Sequence, residues 1–292
     1  MQIFEDVSKI RAFLKKNTLI NKKIGFVPTM GALHAGHLTL IERSVTENDL
    51  TICSIYVNPL QFNNVEDLKK YPRTLESDKE KLEKYQNVHL FIPQDTIMYH
   101  ENPKIHLNFG SLEATMEGTF RPGHFNGVGI VVAKLFNIIQ PNRTYFGQKD
   151  LQQCLIIRQL IRDLSFDIEM IIHPTVREAD GLALSSRNQR LTASQRKEAV
   201  AIPQALELSK QLLPSYGNQP ELIKKEVEKF LAHKPVRLEY FHIVNTQDLK
   251  DVHNIREYEE IALCIAAYVG EVRLLDNIII QTGDLTENPN DF

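Results

Sequence analysis

Cysteine is scarce in this sequence. Cys53, Cys154 and Cys264 are the only three in 292 residues; they are odd in number, widely separated, and each is set in an apolar run. They read as buried thiols of a reducing compartment, which excludes a disulfide framework and leaves a cysteine-based zinc site without support. Long hydrophobic runs are missing too. Ile261 to Val269 and Ile278 to Ile280 fall far short of the roughly 20 apolar residues that a membrane span needs. Met1 to Lys16 carries Glu5, Asp6 and scattered lysines, with no apolar core and no small-residue cleavage site, so no secretory signal is read there and the cytoplasm is the expected location. An excess of one charge is also absent. Lys plus Arg is 34 against 37 Asp plus Glu, a formal net charge of -3, so nucleic acid is not an expected partner and any anionic ligand must meet a local basic cluster. Internal repeats and low-complexity segments are not seen, and the tail from Thr286 to Phe292 reads as frayed and solvated.

What is present is an ordinary globular balance, 42% hydrophobic and 24% charged, in a length that suits two domains or one large one. The first half alternates β-rich runs (24–27, 51–57, 88–92, 144–146 and 167–172) with segments of helical spacing, which predicts a parallel sheet with helical crossovers. Gly127 to Ile139 is apolar on most faces, as expected of a helix buried against that sheet, and Pro141 stops it. From Val176 to Arg190 the chain turns polar and loop-like. Thr192 to Gln195 then resembles a capping box opening a helix to about Leu213; a second helix over 221–231 and β-rich runs at 236–244, 261–269 and 272–280 predict a smaller α+β domain.

The most informative stretch is Pro28-Thr-Met-Gly-Ala-Leu-His34-Ala-Gly-His37, which follows a predicted strand and opens a helical pattern. Backbone N–H groups at a helix start favour an anion, and His34 and His37 lie on one turn, where both can donate to phosphate oxygens. Spacing alone is equally compatible with a plain strand-to-helix turn carrying solvated histidines. Zinc is the weaker alternative, because no helical Glu or nearby Cys accompanies the pair. The polar loop Ala183-Leu-Ser-Ser-Arg-Asn188 adds hydroxyls and a guanidinium suited to triphosphate.

A histidine turn after the first strand joined to a Ser-Ser-basic loop resembles the nucleotidylyltransferase superfamily shared with class I aminoacyl-tRNA synthetases. The synthetase-type Lys-Met-Ser-Lys-Ser is not matched, and no anticodon-binding region is evident. The motifs Pro28 to His34, Val57-Asn-Pro-Leu-Gln-Phe62, Tyr71-Pro-Arg73, Arg121-Pro-Gly-His-Phe-Asn-Gly127, Phe146-Gly-Gln-Lys-Asp150 and Arg177 to Asn188 occur in order. Together they are similar to the pantothenate synthetase family over about Ile24 to Asn188. The resemblance implies a Rossmann-like parallel-sheet α/β domain at 1–184 and a smaller α+β domain at 185–292 closing over the site. It implies ATP-dependent condensation of pantoate with β-alanine through an enzyme-bound pantoyl adenylate, with magnesium, in a homodimer. The apolar, β-rich runs 51–57 and 108–116 are candidates for the dimer interface. Another small-molecule nucleotidylyltransferase and a catalytically silent nucleotide-binding module are the competing readings.

Residue by residue, the resemblance implies ATP contacts at Met30, His34, His37, Gly147, Lys149, Asp150, Val176, Leu184, Ser185, Ser186 and Arg187. Of these, His34, His37, Lys149, Ser185, Ser186 and Arg187 would stabilise charge on the phosphates. Gln61, Gln153 and Arg121 would bind pantoate, and Asp78 is the candidate magnesium ligand. Read without the resemblance, Gln153 is an ordinary helix-surface glutamine, Asp150 a helix-start carboxylate, Lys149 a solvated base, Arg121 and Arg73 a salt bridge and a cap, and Asp78 part of a helix start.

Overall fold

The computed structural model describes residues 1–285; the tail from Thr286 to Phe292 lies outside the described residues. The chain divides into two compact units, residues 1–148 with 152–174, and residues 149–151 with 175 onward. The stretch 175–184, placed above in the first domain, clusters with the second unit, where Arg177 is paired with Asp276 of the last strand.

The first unit runs β1 (Ile3–Phe4), α1 (Val7–Thr18), β2 (Ile24–Thr29), α2 (Ala35–Glu47), β3 (Leu50–Ile55), α3 (Val65–Lys70), α4 (Leu75–Leu82), β4 (Val88–Phe91), α5 (Asp95–Met98), α6 (Glu117–Phe120), α7 (His124–Ile139), β5 (Arg143–Gly147), α8 (Leu151–Asp163) and β6 (Glu169–His173). Its six strands form a parallel sheet in the order β1-β4-β3-β2-β5-β6, a Rossmann-like α/β arrangement. Both faces are covered, so the central strands are mostly apolar and successive residues feed opposite cores. Phe26, Ile52, Phe91 and Phe146 pack on one side with α1, α7 and α8; Val27, Cys53, Leu90 and Tyr145 pack on the other with α2 and α4. Strand order reverses at β2, with β3 on one side and β5 on the other. In open α/β sheets ligands collect at such a switch point, beyond the carboxyl ends of the strands.

Helix α7 begins at His124, earlier than its apolar pattern predicts, because Gly123 takes a left-handed conformation (φ 78°) that starts it; Gln140 (φ 51°) ends it just before Pro141. The apolar run 108–116 is no strand: it holds a short 3-10 turn, Gly110–Glu113. Strand β3 sits inside the sheet between β4 and β2 and is buried along its length, so the 51–57 run serves the interior and is no free edge for a partner.

The second unit contains α9 (Ala193–Glu198), α10 (Ala201–Tyr216), α11 (Pro220–Ala232), β7 (Arg237–Asn245), β8 (Glu260–Val269) and β9 (Val272–Gln281). The three strands form an antiparallel sheet, β7-β8-β9, and Ile202, Leu206, Ile223, Val227, Ile243 and Leu263 form the core between it and its helices. Thr192 and Gln195 make the expected capping box. The single helix predicted after it is two, because Pro203 has no N–H to give Ala199 and the hydrogen-bond ladder lapses there. Among the described residues no helix is long and apolar enough to cross a membrane.

Candidate active site

The turn after β2 has an unusual backbone. Gly31 (φ 81°) and Ala32 (φ 50°) are both left-handed, a conformation costly for the alanine. Asp78, from α4, holds it in place. Its carboxylate is fully buried; Oδ2 accepts from the Ala32 N–H at 2.9 Å and Oδ1 from the Leu33 N–H at 2.8 Å, while Thr74 Oγ1 donates to Oδ1 at 3.2 Å. Lys81 Nζ donates to the Leu33 carbonyl at 2.7 Å and lies 3.8 Å from Oδ1. Thr29 completes the brace, accepting from the Gly31 N–H and donating to the Ser54 carbonyl.

This turn delivers His34 to the cap position of α2. The rings of His34 and His37 stand 4.0 Å apart, and His37 Nδ1 accepts from the His34 N–H at 3.4 Å. A neutral His37 so bonded carries its proton on Nε2, as a donor. The two histidines are thus brought together at a helix start, where an anion is favoured.

Both oxygens of Asp78 are engaged with backbone donors, an arrangement that spends the carboxylate on the turn and speaks against its part as a magnesium ligand. A cavity of about 370 Å³ lies at the carboxyl ends of β2, β3 and β4, with Met30, Tyr56, Arg73 and Asp78 in its lining; it is of a size for a small organic ligand.

Gln61 ends the 3-10 turn Pro59–Gln61 and is buried. Its amide has one orientation. Asn58 Nδ2 donates to Gln61 Oε1 at 3.2 Å and to the Gly127 carbonyl at 3.1 Å, while Asn58 Oδ1 accepts from the Tyr99 hydroxyl at 2.9 Å. Burial pushes the Tyr99 phenol far above its ordinary value, with the nearby Asp95 carboxylate adding to the shift, so Tyr99 remains a donor. The chain of bonds leaves Gln61 Nε2 facing Met30 Sδ at 2.9 Å, a weak acceptor that an oxygen ligand can displace. The Gln61 backbone is fixed as well: its carbonyl accepts from Arg121 Nη2 at 3.3 Å and lies 2.7 Å from His124 Nδ1. Arg121 also meets His124 Nε2 at 3.1 Å and Glu117 at 3.7 Å, so its guanidinium braces this turn.

Gln153 is partly buried on α8, beside Gln152, which is anchored on the Leu112 and Thr115 carbonyls; Gln153 makes no side-chain hydrogen bond among the described residues. Gly147 closes β5 with nothing among the described residues within 4 Å of where a Cβ would stand. Asn58, Tyr99 and His124 are orienting residues that the sequence reading did not single out. Asn58 and His124 lie inside quoted motifs, but Tyr99 lies in none and comes in from a distant part of the chain.

The remaining candidates belong to the second unit. Lys149 Nζ lies 3.1 Å from Asp150 Oδ1. Val176 and Leu184 are paired, the Leu184 N–H donating to the Val176 carbonyl at 2.9 Å, and they close a hairpin whose bend is Gly181 (φ 89°). Ser185 caps the 3-10 turn Ser186–Arg190, its hydroxyl accepting from the Arg187 N–H at 3.2 Å. Val176, Leu184, Ser185, Ser186 and Arg187 are therefore parts of one continuous, partly buried element, a short hairpin running into a polar turn.

Comparison with known proteins shows the family of the chain. The pantoate-beta-alanine ligase family model matches residues 2–279. Pantothenate synthetase of Bacteroides fragilis is 46% identical over 279 residues, 95% of this chain and 98% of the relative. That of Thermosipho africanus is 43% identical, over 96% and 100%. Among solved structures, pantothenate synthetase from Thermus thermophilus superposes with a TM-score of 0.87 at 40% identity, covering 95% of this chain and 99% of that one. Pantoate-beta-alanine ligase from Francisella tularensis, complexed with beta-gamma ATP and beta-alanine, superposes with a TM-score of 0.78 at 34% identity, covering 95% and 97%.

Proposed function

The chain belongs to the pantoate-beta-alanine ligase family, and from that premise we propose that it joins D-pantoate to β-alanine through an enzyme-bound pantoyl adenylate. In the first half-reaction a pantoate carboxylate oxygen attacks the α-phosphorus of ATP and pyrophosphate leaves. In the second, the β-alanine amine attacks the acyl carbon, AMP leaves with the bonding electron pair, and the amine gives up its proton. A carboxylate is already nucleophilic, so the first step needs placement and charge stabilisation more than a base.

His34 and His37 are assigned to the phosphates, as donors at the start of α2, together with Lys149, Ser185, Ser186 and Arg187. Gly147 and Asp150 are assigned to the nucleoside, Asp150 as acceptor for ribose hydroxyls, and Met30, Val176 and Leu184 to contacts along the nucleotide. Gln61 and Gln153 are assigned to pantoate. Arg121 belongs with them as a brace on the Gln61 backbone. The observation that carries the reading is the fixed amide of Gln61: with Oε1 held by Asn58, it can only offer N–H groups outward, which suits the oxygens of a hydroxy acid. The Francisella relative, named for its complex with beta-gamma ATP and beta-alanine, supports the same substrate set.

Magnesium enters this reading as the counter-ion of ATP on phosphate oxygens, with no side chain assigned to it. A homodimer working in the cytoplasm completes the proposal, the buried thiols being in keeping with a reducing compartment.

The test supplies ATP, magnesium, D-pantoate and β-alanine and follows AMP, pyrophosphate and pantothenate. All three are expected, with pyrophosphate release stopping near one turnover when β-alanine is withheld. His37→Ala is expected to slow pyrophosphate release at least about tenfold at saturating ATP with the fold intact. Folded wild-type protein that makes no pantothenate would end the proposal; a His37→Ala variant as fast as wild type would remove that histidine from the phosphates.

A further inference from the structure

The last strand of the second unit carries a buried charge outside the motifs that mark the site. Asp276 on β9 has a side chain only 1% exposed, and Arg177 grips it with both ends of its guanidinium, Nη1 to Oδ2 at 2.6 Å and Nη2 to Oδ1 at 2.9 Å. The same guanidinium donates to the Gly181 carbonyl at 3.0 Å and to the Asn277 carbonyl at 3.1 Å. Asp276 Oδ1 also accepts from the Asn277 N–H at 2.7 Å. Asn277 then reaches the other way: its Nδ2 donates to the backbone carbonyl of Lys149 at 2.9 Å.

One dipeptide of β9 thus holds two segments of chain. Through Arg177 it holds both the first strand of the 176–184 hairpin and the bend at Gly181, and the antiparallel bridge between Arg177 and Ala183 carries that hold to the residues before Ser185. Through Asn277 it holds the turn that bears Lys149. A buried ion pair is a weak device for stability, since apolar residues of similar volume often serve as well; what a bidentate pair with further bonds does fix is direction.

We propose that Asp276 and Asn277 are positioning residues for adenylation, setting the Lys149 turn against the Ser185–Arg187 turn so that both can act on one triphosphate; this rests on the phosphate assignments made above. The consequence is a defect in rate more than in pantoate binding. Displacing a charge-stabilising group by about 1 Å can cost on the order of a hundredfold.

Two near-isosteric variants test it. Asp276→Asn removes the charge and loosens the hairpin arm; Asn277→Asp turns the donor facing the Lys149 carbonyl into an acceptor and loosens the lysine arm. Pyrophosphate release from ATP, D-pantoate and saturating β-alanine is measured at a temperature where circular dichroism shows each variant folded. Both are expected to lose about tenfold to a hundredfold in kcat, with the KM for pantoate within about twofold of wild type. Should Asp276→Asn fail to fold, Asn277→Asp and Asn277→Ala decide the matter. Folded Asn277 variants with wild-type kcat, or a loss that only tracks the unfolded fraction, would overturn the proposal. Lys149→Ala and Arg187→Ala are run beside them. If those two keep wild-type rates, the phosphate assignment itself has failed; if they are impaired while the β9 variants are not, the brace alone has failed.

Discussion

Asp78 commits both carboxylate oxygens to consecutive backbone N–H groups of a turn whose residues Gly31 and Ala32 are left-handed. A carboxylate so placed opposes the strain of Ala32 and hands His34 to the helix start. Asp78→Asn keeps one acceptor but sets an amide N–H against a backbone N–H, so about 1–3 kcal/mol of stability is expected to go, together with a drop in the rate of pyrophosphate release. The magnesium dependence separates this from metal binding. Half-saturating magnesium is expected to stay within about twofold of wild type in a titration of pyrophosphate release, whereas a rise of tenfold or more would return Asp78 to the metal. The same kind of remote support acts at Gln61, where Tyr99 orients Asn58 and Asn58 orients the carboxamide.

At the scale of elements, α7 has to come very close to the turn that carries Gln61. A Cβ on Gly127 would stand 2.2 Å from the Leu60 carbonyl oxygen and 2.8 Å from the Gln61 nitrogen, backbone atoms with no side-chain freedom to withdraw. Gly127→Ala sets a helix-propensity gain of about 1 kcal/mol against an overpacking cost of about 1–3 kcal/mol, and the clash is with backbone, so the cost wins. A lower denaturation midpoint and a raised KM for pantoate are expected, read by urea melts and by pyrophosphate release; a variant at least as stable as wild type would contradict the close approach. Much of this architecture was legible in the chain. Apolar runs such as 24–27 and 88–92 repeat with helical spacing between them, and the histidine turn follows the first long strand. What was not legible is non-local or too short to form a pattern. Strand β1 has two residues, Pro203 breaks a helix whose apolar spacing continues through it, and the partners of Asn58 and Lys149 lie far along the chain at Tyr99 and Asn277.

For the molecule as a whole, a net charge of -3 leaves pH to act through individual carboxylates. The bond and charge of the Arg43 guanidinium hold Glu47 below the usual carboxylate range, Arg196 does the same for Asp180, and His242 for Asp251. Asp276 runs the other way: burial raises it, Arg177 offsetting part of that. The signs follow from which state holds the proton more tightly. A depressed carboxylate adds stability above its unfolded value, about pH 4, and that contribution is lost as pH falls through the lower folded value; a raised one adds stability at low pH and loses it as pH rises. Asp180 gives the clearest test, because Arg196 stays charged throughout; the two meet at 2.7 and 3.0 Å. The Asp180 side chain is 42% exposed, so solvent screening limits the pair to about 0.2–1 kcal/mol. Asp180→Asn is expected to lower the unfolding free energy by that amount at pH 7, and the difference from wild type is expected to shrink as pH falls through the lowered folded value of the Asp180 carboxyl. Urea melts from pH 7 to pH 2 measure the difference. A gap that persists undiminished at pH 2 would mean that the loss at Asp180 is one of shape and hydrogen bonding to Leu182, with the charge on Arg196 playing no part.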